Sequence, residues 1–215
     1  MSDLKRKIKN LREDFNIQKM DIENLPIHPI SLFGDWIEKA VEKEKEAIAF
    51  VLSTVSKEAI PSSRVLLLRD FDEDSFTFFT NYKSAKSIDI DTNNKVALNF
   101  FWPKMQRQIR IVGDAEKIPT EESDNYFNSR PRESQMSAWV SEQSRVIDLH
   151  FDFRAEIQKL EDQFDGKVVK RPKHWGGYKV RPIGMEFWQG RPSRLHQRIK
   201  YSICNSKWEI ERLSP

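Results

Sequence analysis

Three basic side chains near the C-terminus have types and spacing that suit anion binding. Arg194, His196 and Arg198 alternate with neutral residues, so in a β-strand all three would point to one face. Two guanidinium groups beside an imidazole can grip a phosphate or carboxylate and keep a titratable donor near it. A solvated edge strand would show the same spacing, because charged edges also prevent sheets from pairing. The spacing alone leaves both interpretations open.

Other kinds of site find less support in the sequence. The four histidines are widely spaced and lack Cys or His partners at ligand intervals, so no metal site is predicted. The seven glycines include no G-x-G-x-x-G pattern, which argues against a Rossmann or P-loop domain. The basic stretches 5–9 and 167–173 contain no recognition motif for nucleic acid, and we expect no nucleic-acid partner.

Composition indicates a protein of ordinary charge and one domain. The 215 residues include 36 basic and 33 acidic side chains, a net charge of +3, so a general polyanion-binding surface is not indicated. The single cysteine, Cys204, cannot form an intrachain disulfide, and we expect a core or half-buried thiol within a strand. There is no apolar run of about 20 residues and no hydrophobic signal region. A soluble cytoplasmic protein without membrane contact is therefore expected.

The elements that must position these side chains follow from hydrophobic periodicity. Leu4, Ile8, Leu11 and Phe15 recur at helical spacing, which predicts a short amphipathic helix able to dock on the body. A second helix is predicted over residues 31–41, with Ser31 as its N-cap. Further helices are predicted over 120–130 and 148–164. Strands are predicted over 47–55, 64–69, 75–81, 95–102, 106–117, 183–188, 194–203 and 208–213.

This order of elements indicates a mainly β protein with flanking helices. Many short strands with few helices suit a small closed or partly split barrel better than an alternating βαβ sheet. In the strand predicted over 106–117, Gln106, Gln108 and Arg110 fall on one face, whereas Ile109 and Ile111 fall on the other. A polar face built from Gln and Arg suggests a surface lined by ligand.

Motifs spread over most of the chain resemble those of the pyridoxamine 5'-phosphate oxidase family. They occur in the family's order and are Arg64-Val65-Leu66-Leu67-Leu68, Phe79-Thr80-Asn81, Arg107-Gln108, Tyr126 to Gln135, Ala138 to Ser144, Phe187-Trp188-Gln189-Gly190, Arg194-Leu195-His196 and Arg198. Such a series is far more specific than one motif. The resemblance implies an FMN-binding split β-barrel and a homodimer with two flavin sites at the subunit interface.

The resemblance also implies an activity and a domain organisation. The expected reaction is FMN-dependent oxidation of pyridoxamine or pyridoxine 5'-phosphate to pyridoxal 5'-phosphate in vitamin B6 metabolism, with O2 reduced to H2O2. Residues 1–25 are expected to form a mobile N-terminal segment able to close over the active site. Residues 26–215 are expected to form one split-barrel domain that includes the C-terminal dimerisation and signature region.

Site residues are carried over from the family by position. The residues expected to bind FMN are Arg64, Val65, Leu66, Leu67, Leu68, Arg69, Phe79, Thr80, Lys86, Gln108, Gln143, Ser144, Trp188 and Arg198. The residues expected to bind the substrate are Arg12, Phe15, Arg69, Tyr126, Arg130, Ser134, Arg194 and His196. Arg194 and His196 are also expected to be catalytic, because in the family they lie over the substrate ring, opposite the flavin.

The spacing of Tyr126, Arg130 and Ser134 agrees with part of this assignment. Tyr126 and Arg130 are four residues apart and share a helix face, while Pro131 ends the helix and brings Ser134 around on a turn. A phenol, a guanidinium and a hydroxyl would then converge on a phosphate. Surface ion pairs of Arg130 and its neighbour Arg132 are the alternative. For Trp188 taken alone, a core tryptophan is the alternative.

Four positions depart from the family's usual residues. Arg69 stands in place of Lys, and its planar fork is larger than an ammonium group. Ala85 replaces an Arg that commonly contacts the FMN phosphate, which predicts weaker FMN affinity unless Lys83 compensates. Gln197 replaces an Asp, and Phe15 replaces a Tyr that closes over the substrate. Two alternative functions follow, namely oxidation of a different ring-bearing substrate, as in the phenazine branch, or FMN or pyridoxal phosphate binding without turnover.

Overall fold

The computed structural model describes residues 2–10, 15–17 and 19–215, with Ser2 and Asp3 described by their backbone alone. The helices within these ranges are α1 Ser2–Asn10, α2 Pro29–Lys43, α3 Ala85–Thr92, α4 Thr120–Ser129, α5 Arg132–Val140 and α6 Phe153–Phe164. The strands are β1 Ala49–Val55, β2 Pro61–Leu67, β3 Asp70–Phe71, β4 Phe76–Asn81, β5 Lys95–Trp102, β6 Arg107–Lys117, β7 Trp175–Gln189, β8 Gln197–Cys204 and β9 Lys207–Leu213. No helix in the described ranges is both long and apolar enough to span a bilayer.

The chain divides into two compact units. The first contains the described residues up to Ala47 together with 99–110 and 184–215, and the second contains 48–98 and 111–183. Strands β5, β6 and β7 contribute one segment to each unit. Each unit has its own buried side chains and its own set of candidate site residues.

In the second unit the strands follow the order β2-β1-β5-β6-β7-β4-β3. The β1–β2 and β4–β7 pairs are antiparallel, with Val51 opposite Val65 and Phe78 opposite Tyr178. Residues of β1 alternate between buried and half-buried, as expected for a strand with one face on a core. Phe50, Leu52 and Phe78 are at most 2 % exposed, so this apolar face fixes the register that places Arg64 and Phe79.

In the first unit, α2 packs on the ends of the long strands. Trp36 contacts Phe187 of β7 with ring centroids 5.4 Å apart, and Phe33 contacts Phe100 of β5 at 5.3 Å. The end of β7 pairs with β8, where Trp188 lies opposite Arg198, and β8 pairs with β9. This hairpin carries the signature residues of the C-terminus.

The structure confirms most predicted elements. Helix α4 and strands β1, β4 and β5 begin and end within two residues of the predicted bounds. Gln108 and Arg110 are more exposed than Ile109 and Ile111, which confirms the alternation predicted for these four residues, whereas Gln106 precedes β6 and has a φ of 52°. A helix is present at residues 2–10, but Leu4 and Ile8 are about 60 % exposed. The predicted docking of α1 through these two residues is therefore wrong, and Leu11 lies outside the described residues.

The strand predicted over residues 194–203 is wrong at its start. Residues Pro192–Arg194 form a 3-10 turn, and β8 begins only at Gln197. Ser193 and Arg194 have φ angles of 55° and 60°, a region that strands do not use. Arg194, His196 and Arg198 therefore do not share one strand face.

Three further predictions are corrected by the structure. Helix α2 has His28 at its N-cap position, without a capping hydrogen bond from the side chain, and Pro29 at its first position, because proline's fixed φ suits a helix start. Ser31 lies inside the helix. Ser134 lies in α5 rather than on a turn. Cys204 ends β8 as predicted but is exposed, because the β8–β9 hairpin turns immediately after it. Helices α3 and α5 and strand β3 were not predicted.

Candidate active site

A cavity of about 250 Å³ in the second unit collects many of the predicted site residues. The end of β2 and the residues after it contribute Leu66 and Arg69, and β4 contributes Phe79 and Thr80. The C-terminal end of α4 contributes Tyr126 and Arg130. Gln143 and Trp175 also line it. The cavity therefore joins apolar walls with two guanidinium groups.

Three aromatic rings form one wall of this cavity. Phe79 and Tyr126 stack with centroids 3.8 Å apart and planes 14° from parallel. Trp175 lies nearly parallel to both, at 5.5 Å from Phe79 and 6.2 Å from Tyr126. Gly177 leaves room for this stack, since a Cβ there would lie 2.9 Å from Phe79 Cε1. Flat apolar walls of this kind suit planar ligands.

The guanidinium group of Arg130 lies at the same wall, and one of its nitrogens lacks a hydrogen-bond partner among the described residues. Its guanidinium carbon lies 4.4 Å from the centre of the Trp175 ring, a cation–π contact. Its Nη1 is buried and has no hydrogen-bond partner among the described residues. Burial lowers the pKa of Arg130, and nearby Arg69 lowers it further. An anion in the cavity would relieve both effects.

Lys86, in the first turn of α3, forms a second cationic centre. It is 5 % exposed, and Nζ donates to Thr80 Oγ1 at 3.2 Å, Ser84 Oγ at 3.1 Å and Gln143 Oε1 at 2.9 Å. All three partners are neutral. Burial, and secondarily the charge of Arg64, lowers the pKa of Lys86 to about 8. A buried ammonium with neutral partners is costly by itself and is favourable beside a phosphate.

Arg64 is fixed by a polar network between β1, β2 and α3. Its Nη1 donates to Thr54 Oγ1 at 2.8 Å, and Nη2 donates to Ser62 Oγ at 2.5 Å. Thr54 in turn donates to Asp89 Oδ2 at 2.6 Å. Burial lowers the pKa of Arg64, and the nearby Asp89 carboxylate opposes that shift. The network therefore orients a charged guanidinium that also acts on Lys86.

The remaining predicted residues of the second unit do not line this cavity. Val65 is 66 % exposed whereas Leu68 is buried, with Leu67 half-buried. Ser144 is exposed and has a φ of 72°. Ser134 is half-buried and does not line the cavity of Tyr126 and Arg130. Of the three residues predicted to bind the substrate phosphate, Tyr126 and Arg130 therefore line the cavity together, whereas Ser134 does not.

In the first unit, three rings gather at the C-terminal signature. Trp188 and His196 have centroids 4.7 Å apart, and Phe15 meets them edge-on at 5.6 Å and 5.5 Å. His196 Nδ1 lies 3.1 Å from the backbone nitrogen of Arg191, which donates to it. Burial, and secondarily the Arg194 charge, lowers the pKa of His196. The imidazole is therefore favoured in its neutral form.

The other predicted residues of the first unit have separate environments. Arg198 Nε donates to Glu186 Oε1 at 2.8 Å, and Arg110 Nη1 donates to Glu186 Oε2 at 3.0 Å. Gln108 Nε2 donates to Asn99 Oδ1 at 2.8 Å. Arg194 is exposed, and Arg12 lies outside the described residues.

Two residues with direct roles in this geometry were missed by the sequence reasoning. Trp175 supplies the ring under Arg130, and the pair Gly176-Gly177 after it was the available signal, because close packing beside an aromatic strand needs small residues. Glu186 pairs with two arginines, and its position two residues before Trp188, on the same strand face, was the available signal. Both contacts depend on partners far away in the chain.

Two family models match successive segments of the chain. Residues 37–164 match the model described as pyridoxamine 5'-phosphate oxidase. Residues 175–215 match the model described as pyridoxine 5'-phosphate oxidase C-terminal dimerisation region. Together the two matches cover most of the chain, and the chain carries the family's dimerisation region.

Curated relatives match over nearly their full length. The pyridoxine/pyridoxamine 5'-phosphate oxidase of Cytophaga hutchinsonii is 42 % identical over 215 residues, covering 99 % of this chain and 100 % of that protein. The protein of the same name from Leptospira biflexa is 45 % identical over 207 residues, covering 96 % and 98 %.

Among solved structures, PhzG from Burkholderia lata in complex with tetrahydrophenazine-1-carboxylic acid matches with a TM-score of 0.88 and 26 % identity. The match covers 94 % of this chain and 100 % of that one. An FMN-binding protein related to pyridoxamine 5'-phosphate oxidase from Nostoc punctiforme matches with a TM-score of 0.69 at 16 % identity, which supports the fold alone. The predicted split-barrel fold is thereby confirmed, and the chain belongs to the pyridoxamine 5'-phosphate oxidase family.

Proposed function

We propose that the protein is an FMN-dependent oxidase that converts pyridoxamine or pyridoxine 5'-phosphate to pyridoxal 5'-phosphate. The proposal rests on one observation: two cationic centres, Lys86 and Arg130, lie at the same cavity. Lys86 is bonded to Gln143 and Thr80, which line the cavity, and Arg130 lines it directly. An enzyme that holds a phosphorylated cofactor and a phosphorylated substrate needs two such centres.

The residues present fit FMN. Lys86 and the oriented Arg64 offer cations for a phosphate, and neither has its charge cancelled by a direct carboxylate contact within the described part of the chain. Phe79 and Leu66 offer apolar wall for a ring. We propose that the remaining contacts come from Gln108, Ser144, Trp188 and Arg198, some of them from a second subunit. A homodimer with flavin sites at its interface is part of this proposal, supported by the matched dimerisation region.

The substrate phosphate is proposed to bind Arg130 and Tyr126, with Ser134 nearby on α5. Arg130 Nη1 has no hydrogen-bond partner among the described residues and can donate to an anion, and the guanidinium carbon is held 4.4 Å from the centre of the Trp175 ring. Arg69, on the same cavity wall, adds a second positive charge. Such fixed donors orient a substrate by its phosphate and so lower the entropic part of the barrier.

His196 is proposed to act at the substrate ring as a hydrogen-bond donor. Because Nδ1 accepts the Arg191 amide proton, a neutral imidazole carries its own proton on Nε2. The exposed Arg194 adds positive charge beside it. These two groups would orient the carbon that loses a hydride, and no side-chain nucleophile is needed.

When bound, FMN would accept a hydride and later return two electrons to O2, which gives H2O2. The balanced reactions are pyridoxine phosphate plus O2 to pyridoxal phosphate plus H2O2, and pyridoxamine phosphate plus O2 plus H2O to pyridoxal phosphate, NH3 and H2O2. The protein's own contribution is stacking, orientation and placement of charge.

The test is reduction of the FMN-loaded protein by pyridoxamine 5'-phosphate without oxygen. Loss of the visible flavin absorbance that returns with air, together with H2O2, is the expected result. A flavin that stays oxidised with pyridoxamine and pyridoxine phosphates but is reduced by tetrahydrophenazine-1-carboxylic acid, the ligand of the similar PhzG structure, would instead establish the phenazine-type alternative. A bound flavin reduced by neither would indicate binding without turnover.

A further inference from the structure

The buried amide of Gln197 fastens a segment near the N-terminus onto the signature region of the first unit. We call residues 15–17 and 19–26 the strap. Met20 N donates to Gln197 Oε1 at 2.8 Å, and Gln197 Nε2 donates to Met20 O at 3.3 Å. Met20 and Gln197 are 3 % and 6 % exposed. One side chain thus satisfies both backbone groups of a buried residue 177 positions away.

The strap has further attachments on either side of Met20. Ile17 N donates to Gln106 Oε1 at 3.3 Å, and Tyr201 OH donates to Pro26 O at 2.9 Å. At one end of the strap, Phe15 lies edge-on against Trp188 and His196. The strap therefore brings an apolar ring onto the imidazole that we assign to the reaction.

Gly190 makes room for this arrangement. A Cβ at position 190 would lie 2.8 Å from both Cβ and Cδ1 of Phe15. The Cβ atom of Phe15 moves only with its backbone, so a side chain at 190 would displace the strap itself. Gly190 and Gln197 thus act on the strap at two separate points.

We propose that Gln197 is a positioning residue that locks the strap and thereby holds Phe15 over His196 and Trp188. An amide is required for this role, because it accepts the Met20 N–H and donates to the Met20 carbonyl with one side chain. A carboxylate at 197 would accept the N–H but would face the carbonyl with a second acceptor. The fastening is independent of the proposed function, whereas its consequence for substrate binding rests on that function.

The first experiment measures hydrogen exchange of the Met20 amide in the full-length protein, with and without FMN. In Gln197→Ala, loss of the two hydrogen bonds is expected to accelerate exchange at Met20 about tenfold or more. Gln197→Asp, which leaves an acceptor on a shorter side chain, is expected to accelerate it as well. Lys200→Gln, on the same strand and removing only an exposed ion pair with Glu211, is the matched control and is expected to leave Met20 unchanged.

The second experiment follows the His196 ring protons by NMR, with His196→Gln used to assign the signal. Phe15 and Trp188 shift these protons through their ring currents, so Gln197→Ala and Gly190→Ala are both expected to move the signal. Exchange of the β8 amides reports whether each variant is folded. Unchanged exchange at Met20 and an unmoved His196 signal in folded variants would overturn the proposal.

The third experiment tests whether the fastening of the strap by Gln197 affects substrate binding. If the wild-type protein oxidises pyridoxamine 5'-phosphate, Gln197→Ala is expected to raise KM about three- to tenfold with kcat within about twofold, because a loosened cover retains the substrate less well. An unchanged KM despite faster Met20 exchange would show that the strap has no part in substrate binding. Absent turnover in wild type would count against the proposed function and leave the exchange result standing.

Discussion

Lys86 and Gln143 lie 57 positions apart and are joined by a 2.9 Å hydrogen bond from Nζ to Oε1. The lysine is almost fully buried, while the glutamine is in an exposed loop after α5. The bond therefore ties the loop that carries the Gln143-Ser144 motif to the start of α3. It also leaves the ammonium without a negative partner among the residues described, which makes its charge available to a ligand.

We expect Lys86→Met to weaken FMN binding about ten- to hundredfold, since a hydrogen bond to a charged group contributes about 1.5–3 kcal/mol. The flavin-free protein should not lose stability to the same extent, because the substitution also removes a buried, uncompensated charge. Fluorescence titration with FMN and thermal unfolding without it measure the two effects. Lys57→Met, at an exposed turn, is the control, and equal losses in both variants would contradict a specific phosphate contact.

The lowered pKa of Lys86 predicts a pH dependence. The folded pKa is about 8, against an ordinary value of 10.5. Above pH 8 the ammonium is lost, so FMN affinity should fall as the pH rises from 7 to 9.5. Without flavin, the unfolded chain binds the extra proton between pH 8 and 10.5, so this group's contribution to stability rises with pH in that window. Flavin titrations of wild type and Lys86→Met across the range check it, and a decline retained in the variant would refute the assignment.

We expect Glu186→Gln to destabilise the protein by about 1–2 kcal/mol, because two arginines lose one shared carboxylate. Glu186 is 13 % exposed as a side chain and pairs with Arg198 and Arg110. Glu211→Gln removes only one exposed contact, with Lys200 at 3.5 Å, and should cost less than about 0.5 kcal/mol. Urea unfolding of both variants gives the comparison, and similar midpoints for the two would show that the Glu186 pairs are not stabilising.

The sequence predicted elements with strong periodicity and local chemistry. The alternation of Gln108 and Ile109 settles which face of β6 is buried, because strand side chains have a period of two. For the cavity, it was the motif resemblance that identified Tyr126, Arg130 and Gln143 before any contact was known. Their grouping in one cavity follows from strand and helix placement that no local pattern contains.

The failures lie where tertiary contacts decide the backbone. The alternation of Arg194, Leu195 and His196 suits a strand, but Pro192 and the positive φ angles of Ser193 and Arg194 place Arg194 in a 3-10 turn, and Leu195 and His196 precede β8. The contact of Gln197 with Met20 could not be predicted either, because an amide pairing with a distant backbone has no sequence period. Cys204 was expected to be buried or half-buried because of its strand, whereas its exposure depends on the neighbouring hairpin turn.

Arg130→Lys tests the proposed substrate phosphate site. The guanidinium lies over Trp175 and has an unpartnered, buried Nη1 within the described structure, so its planar shape and spare donor are the features at stake. Lysine keeps the charge but loses the stacking and the paired donors. We expect KM for pyridoxamine 5'-phosphate to rise at least tenfold, while the FMN dissociation constant changes less than twofold, because Lys86 and Arg64 are untouched. Steady-state kinetics and a flavin titration on the same preparation provide both numbers.

Arg132→Lys is the matched control, since Arg132 Nε donates to Glu161 Oε1 at 2.6 Å and the residue does not line the cavity. A rise in KM that is equal in the two variants, or a loss of FMN without a change in KM, would show that Arg130 does not bind the substrate phosphate.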